Sequence, residues 1–515
     1  MPEERPNVVL ICADQWRGDC LSIDDHPVVA TPHLDQLAMR GAHFTRAYSA
    51  TPTCVPARMA LLTGLSQRTH RRVGYQDGVP FDIETTLPGE FRRNGYQTQA
   101  IGKLHYSPTR ARLGFDDVLL HDGYLHANRH RDADPATFDD YLPWLREQAG
   151  QSAVADYVDT GLNCNSYVAR PWDKAEALHP TNWAVTQSIQ WLYRRDPTAP
   201  FFLYLSFHRP HPPLDPPAWA FEQYLDAEHP DPPVGDWIEA YAEHRNDRSH
   251  EAFVARYSPA MRRRLLAGYY GHLAHIDLQI NRFLEALAEF GLRQQTYVCF
   301  VADHGEMLGD HHLYRKGFPY QGSARIPFLL AGPGLDGSAY SPDGADPSED
   351  AAHMLPEMPE LSERQGPRGT VREELVELRD VMPTLLDCAG LDVPESVEGR
   401  SVLPLARGER PGGEDGWRAY LHGEHALLGQ SLQWITDERW KYVWLSGTGE
   451  EQLFDLAIDP GETVDLAGTR DAEDDLSRLR ALLIEELTGR PEGYVADGTL
   501  VAGRKPLTLL PAAES

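Results

Sequence analysis

The sequence predicts an α/β fold: a large, mostly parallel central sheet sandwiched by helices, with a smaller C-terminal α+β subdomain. Three observations predict it. Short apolar runs of strand length alternate with helical patterns through most of the 515 residues, as parallel strands joined by helical crossovers do. Four of those runs end in polar residues able to hold a metal or an anion, and open α/β sheets bind ligands outside the carboxyl ends of their strands. From about residue 415 the pattern changes to short strands separated by turns. The expected division is a larger domain over 1–414 and a subdomain with its tail over 415–515.

Asn7–Cys12 (NVVLIC) is a continuous apolar run and reads as a buried central strand. Thr31-Pro32 reads as the N-cap and first-turn proline of a helix reaching about Arg40, with Gly41 its stop. In TPTCVPARMALLTG (51–64), Pro56 can open a helix and Gly64 can close it. Further strands are expected near Gln97–Ile101, Phe201–Phe207, Tyr297–Ala302 and Pro327–Leu330. Long helical patterns lie at Trp183–Arg194, Arg262–Phe290 and Glu373–Ala389. Residues 335–369, rich in Asp, Gly, Pro, Ser and Glu, read as a mobile surface loop. Beyond 415, LQWITDERWKYVWL reads as two strands turning at Asp437-Glu438, followed by a strand at QLFDL and a helix near Leu476–Leu487.

Seventy-seven acidic against 48 basic residues give a net charge of −29. That excludes a nucleic-acid binder, which needs a basic footprint, and disfavours docking on an anionic membrane. No apolar run approaches the roughly 18 residues of a membrane span. The start, MPEERPNVVLICADQW, turns polar too soon for a secretory signal, so a cytoplasmic location is expected. The six cysteines form no CxxC pair, and Cys12, Cys299 and Cys388 read as buried small hydrophobes.

The chemistry gathers at strand ends. The first strand runs into Asp14 and Gln15, the one near Ile101 into Lys103 and His105, FFLYLSF into His208, and YVCFVA into Asp303 and His304. Cys54 stands just before a helix, whose N-terminus offers free N–H groups and a dipole that favour an anion, and Arg58 falls on the same face one turn later. That spacing suits an activated nucleophile facing an anionic substrate; it equally fits a buried free cysteine followed by a surface arginine. Other polar residues have plainer readings. His211, His311 and His312 match no zinc spacing and read as pocket wall or loop. Arg209 is a pocket-shaping candidate, and His422 and His425 are candidates to reach over the site. Arg262, Arg263 and Arg264 belong to a packed surface helix, and Trp183, Trp191, Tyr193 and Trp219 to the core.

Cys54-Val55-Pro56-Ala57-Arg58 fits the C-x-P-x-R pattern, and the chain resembles the type I sulfatases of the alkaline phosphatase superfamily. The resemblance continues through DQWRGD (14–19), TPHLDQLAMRG (31–41), GKLHY (102–106), HRPHPP (208–213) and ADHGEMLGDHH (302–312), and more loosely through HGEH (422–425) and LFDLAIDPGE (453–462). It implies a large mixed, mostly parallel sheet, with 1–414 as the catalytic domain. It also implies that a separate formylglycine-generating maturation enzyme converts Cys54 to formylglycine. In such enzymes the hydrated aldehyde attacks sulfur with one hydroxyl, and the other expels sulfate. By the same resemblance Asp14, Gln15, Cys54, Asp303 and His304 hold one divalent metal ion. Ca2+ is the expected ion, with Mn2+ or Mg2+ as alternatives, since the donors are mostly hard oxygens. Arg58 and Lys103 steady the formylglycine and the sulfate charge. His105 moves a proton at the geminal diol, and His208 and Lys316 contact the sulfate or the leaving oxygen.

The expected substrate is a small sulfate monoester, aryl or other, and homo-oligomers are common among similar enzymes. Two positions depart from the commonest sulfatase pattern: Asp14-Gln15 replaces Asp-Asp, and Asp303-His304 replaces Asp-Asn. Both, with HRPHPP, are similar to phosphonate monoester hydrolases, the alternative reading, whereas Lys103 and His105 keep the sulfatase form. A non-catalytic anion-binding relative is the remote alternative.

Overall fold

The computed structural model describes residues 5–123, 134–159, 163–335, 369–409 and 416–512. The loop expected over 335–369 lies outside these residues except at its two ends. The main sheet has eight strands: β1 (Asn7–Asp14), β2 (Gly41–Phe44), β3 (Gln97–Gly102), β4 (Asp117–Leu120), β5 (Phe201–Pro210), β6 (Thr296–Ala302), β7 (Phe328–Ala331) and β8 (Thr370–Arg372). Their order is β8-β2-β7-β6-β1-β5-β3-β4. In this sheet β7 runs antiparallel to both neighbours and the other pairings are parallel, so the sheet is mixed and mostly parallel. β1, β5 and β6 are buried along their whole length, as parallel strands covered on both faces must be.

The cover comes from two groups of helices. α1 (Pro32–Met39) and α3 (Pro180–Arg194) pack against α4 (Pro259–Glu289), while α2 (Cys54–Thr63) packs against α5 (Val381–Cys388). α4 buries Leu265, Tyr269, His272, Ile276, Ile280, Phe283 and Leu287, a stripe at three- and four-residue spacing. The Ser258 hydroxyl caps α4 by accepting from the Met261 N–H. Arg262, Arg263 and Arg264 at its start bind backbone carbonyls of Pro230, Leu225 and Ala169, so they brace neighbouring loops. α1 is capped from a distance. Its Thr31 makes no side-chain cap, and the buried Asp277 of α4 accepts the N–H groups of His33 and Leu34.

The C-terminal part forms an antiparallel sheet of β9 (Leu421–Leu427), β10 (Gln430–Thr436), β11 (Trp440–Leu445) and β12 (Glu451–Asp455), paired in chain order. The β10–β11 turn closes where Asp437 accepts from the Arg439 and Trp440 N–H groups. α6 (Glu473–Leu487) lays Leu476, Leu479, Leu483 and Leu487 on this sheet.

Two expectations fail. The helical pattern over Glu373–Ala389 is broken: Val376 and Glu377 pair with Ala47 and Tyr48 as extended chain, and a reciprocal Glu377–Asp380 capping box starts the helical turn that leads into α5. Tyr193 and Trp219 are 70% and 40% exposed, so they are surface residues on outward helix faces; Trp183 alone of the four is fully core, and Trp191 is half-buried. Among the described residues no helix is long and apolar enough to cross a membrane.

Candidate active site

The carboxyl ends of the central strands coincide. Ala13 lies level with Phe207 on one side and Ala302 on the other, and Gly102 is level with Ser206. Asp14, Lys103, His208 and Asp303 therefore leave the sheet at one edge. Cys54 is the first residue of α2 rather than the residue before it, and Gly64, at φ 67°, ends that helix in the left-handed conformation. The ligand atoms of Asp14, Cys54, Asp303 and His304 lie within 4.8 Å of one another, all buried, and could hold a metal ion. Of these four, Cys54 opens onto a cavity of about 520 Å³. Cys54, His105, His211, Lys316 and His425 line it, with Tyr75, Phe81, Phe253 and Leu427 as apolar wall.

Each predicted residue has a definite place. Lys103 Nζ donates to Asp14 Oδ2 and lies 3.6 Å from Cys54 Sγ. Burial alone would raise the Asp14 carboxyl, but Lys103, His211 and Lys316 outweigh it and hold Asp14 well below the usual range. Burial and Asp14 likewise push the Cys54 thiol up, yet Lys103 and Lys316 bring it below its ordinary value. Asp303 Oδ1 accepts the N–H groups of Gln15 and His304, and Oδ2 accepts from Arg58 Nε at 2.9 Å. Arg58 also donates to the Lys103 carbonyl, Tyr204 Oη and Ser206 Oγ, and its Nη2 is buried without a hydrogen-bond partner. His304 Nδ1 donates to the Gly305 carbonyl, so Nε2 faces Cys54 Sγ at 3.3 Å with its lone pair. Burial lowers the His304 pKa, which keeps that lone pair free.

Gln15 makes two side-chain hydrogen bonds. Its Oε1 accepts from Lys316 Nζ at 2.8 Å and its Nε2 donates to Glu306 Oε2. His105 adopts φ 62° because Asp122 Oδ1 gathers the N–H groups of Leu104 and His105, both at 2.9 Å. Its Nε2 lies 3.2 Å from Asp77 Oδ1. Burial lowers the His105 pKa, but the bonds to Asp77 and Cys54 outweigh it and raise the net value. His208 Nδ1 lies 2.5 Å from Arg209 Nη1. Burial and the Arg209 charge hold His208 well below its usual pKa.

Several partners escaped the sequence reading. Glu306, fully buried, fixes Gln15, accepts from Tyr167 Oη at 2.7 Å and takes the Leu308 N–H. Asp77, Tyr75 and Asp122 shape the His105 loop. Glu306 was visible inside ADHGEMLGDHH; the others carry no local signal. Of the two C-terminal histidines, His425 reaches the cavity, whereas His422 binds Gln67 and Gln433 elsewhere. His211 is cavity wall, and His311 packs on Trp237.

Comparison with known proteins agrees with this geometry. Residues 6–391 match the Sulfatase family, and residues 354–488 match the C-terminal region of N-sulphoglucosamine sulphohydrolase. An arylsulfatase of Clostridium perfringens is 44% identical over 509 residues, 98% of this chain and 99% of that protein. The multifunctional alkaline phosphatase superfamily protein PehA of Trinickia caryophylli is 30% identical, covering 90% and 91%. Among solved structures, the phosphonate monoester hydrolase of Agrobacterium radiobacter superposes with a TM-score of 0.73 at 28% identity, covering 93% of this chain and 95% of that one. The match over residues 6–391 and the full-length likeness to an arylsulfatase lead to one conclusion: the chain belongs to the sulfatase family and is a sulfuric ester hydrolase.

Proposed function

We propose that the protein hydrolyses aryl sulfate monoesters through a formylglycine made from Cys54 by a maturation enzyme, with one divalent cation. The observation that carries this reading is the buried cluster of Asp14, Cys54, Asp303 and His304, whose Cys54 opens onto a cavity with an aromatic wall. The residues suit a cation: two buried carboxylates, and an imidazole with its lone pair turned inward. Gln15 Oε1, now on Lys316, is near enough in sequence to Asp14 to serve as a further oxygen ligand. Oxygen donors with a single imidazole favour Ca2+, with Mn2+ or Mg2+ as alternatives. The cation supplies Lewis-acid polarisation of the sulfate oxygens.

Once oxidised and hydrated, position 54 supplies a geminal diol, one hydroxyl of which displaces the alcohol from sulfur while the other allows sulfate to be expelled. Around it, the chain orients and moves protons. Lys103 and Lys316 bring positive charge to the sulfate oxygens, and Arg58 holds Asp303. His105, backed by Asp77, takes the proton released when sulfate departs. His208, grouped with Asp14 and His211, would serve the leaving oxygen. Tyr75, Phe81, Phe253 and Leu427 exclude water and accept a planar ring.

The Gln15 and His304 substitutions, with the phosphonate monoester hydrolase likeness, favour a second activity on phosphonate monoesters in the same cavity. Two measurements test the reading. Peptide mass spectrometry after co-production with a formylglycine-generating enzyme should find the aldehyde at position 54; a persistent thiol in active protein sinks that nucleophile. The kcat/KM on 4-nitrophenyl sulfate should exceed that on an aryl phosphonate monoester. A hundredfold preference the other way, about 2.7 kcal/mol in the barrier, reverses the assignment.

A further inference from the structure

His208 is held more tightly than a proton donor on a strand end requires. A Cβ on Gly123 would lie 2.4 Å from its Cγ and Cδ2, so the ring fills the space that glycine leaves. The His211 ring packs beside it with centroids 5.1 Å apart. A ring nitrogen of His208 lies within 4.8 Å of an Asp14 carboxylate oxygen and a His211 ring nitrogen.

The contact with Arg209 fixes which nitrogen carries the proton. Arg209 Nη1 stands 2.5 Å from His208 Nδ1. A guanidinium has donors and no acceptor, so Nδ1 must accept and the ring hydrogen sits on Nε2. Arg209 has no freedom to turn away. It is fully buried, with Nε on Asp215 Oδ1 at 3.0 Å and Nη2 at 2.8 Å from the same oxygen. Asp215 is anchored in turn, its N–H donating to His272 Nε2 of α4 at 3.0 Å.

We propose that Arg209, held by Asp215, is a positioning residue that locks His208 as the Nε2–H tautomer, so that His208 acts on the leaving oxygen as a neutral hydrogen-bond donor. Protonating Nδ1 would set one N–H against another. As the S–O bond breaks, the leaving oxygen takes the electron pair, and His208 shares its hydrogen without surrendering it. The aryloxide departs and is protonated by solvent. This inference rests on the sulfate ester reading and concerns how the leaving group is stabilised.

The test compares phenyl sulfate with 4-nitrophenyl sulfate, whose oxide needs less stabilisation. Arg209→Met and Asp215→Asn should lower kcat on phenyl sulfate about tenfold more than on 4-nitrophenyl sulfate, with KM little changed. Arg209→Lys, which keeps a buried donor, should recover part of the difference. His208→Gln, which offers a neutral N–H, should retain more activity than His208→Ala. Equal losses on both substrates, or losses confined to KM, overturn the lock; equal loss in the Gln and Ala variants overturns the neutral donor. The two histidine variants and Arg209→Lys carry the test if Arg209→Met fails to fold. A wild-type enzyme inert on both sulfates strikes the functional reading, and this inference falls with it.

Discussion

At the scale of single residues, the site depends on polar contacts that sequence proximity does not announce. Asp77 comes from a loop far from His105 in sequence, and its carboxylate is bonded by both His105 and Tyr75. Asp77→Asn should cost about tenfold in kcat, roughly 1.4 kcal/mol, with KM nearly unchanged, because the lost charge supports a proton transfer and not substrate binding. Steady-state kinetics on 4-nitrophenyl sulfate measures both constants. Removing the cation should be more severe. Asp14, Asp303 and His304 converge within 4.8 Å with Cys54. A chelator should therefore abolish turnover and lower Tm, and Ca2+ should restore both; full activity with metal-free protein, verified by elemental analysis, would exclude the cation. Residues at strand ends were legible in sequence, because an apolar run followed at once by Asp, Lys or His already places that side chain at the sheet edge. Asp77, Asp122 and Asp215 were not, because each works by meeting another segment, and an isolated Asp on a loop looks the same whether it meets one or not.

At the scale of elements, strands were easier to read than helix starts. β1, β5 and β6 are buried end to end, and a continuous apolar run says so directly. The stretch after residue 373 misled because helical periodicity continues through Val376 and Glu377, whose extended pairing with Ala47 and Tyr48 depends on a distant partner. The cap of α1 is a further case: Thr31-Pro32 marks the right start, but the Asp277 carboxylate does the capping. Burial raises Asp277 to about 7, against the pull of those two backbone bonds. Its folded pKa exceeds the ordinary value of 3.8. Between these two values the unfolded chain sheds the proton first, so stability falls as pH rises from about 4 to 7. Asp277→Asn keeps an acceptor and should flatten that part of the stability curve, whereas Asp277→Ala flattens it too but also loses the cap and should be about 1 kcal/mol less stable than the Asn variant. Denaturant melts at pH 4 and pH 7 separate the two.

At the scale of the whole molecule, the net charge of −29 coexists with a site that concentrates Arg58, Lys103 and Lys316 against its carboxylates. Besides His425, a buried cation ties the C-terminal sheet to that site. Lys441 of β11 donates to Glu462 at 2.8 Å and to the Pro319 carbonyl at 3.0 Å, just beyond Lys316 in the chain. Lys441→Met would leave Glu462 buried without its charge partner and should destabilise by about 3–5 kcal/mol. KM should rise as the loop carrying Lys316 loosens; a variant with wild-type melting and KM would show the tie to be idle.

The central place of β1 has a consequence in time. Val8 pairs with Phe202 and with Tyr297, so β1, once synthesised, waits for neighbours that emerge much later. At about 5–20 residues per second that wait is on the order of ten seconds or more. Throughout it an apolar ribbon stands unpaired and Cys54, only 2% exposed in the fold, stands open. The interval of synthesis is thus both the chain's most aggregation-prone moment and, on the proposed formylglycine reading, the time when a maturation enzyme would have access to Cys54.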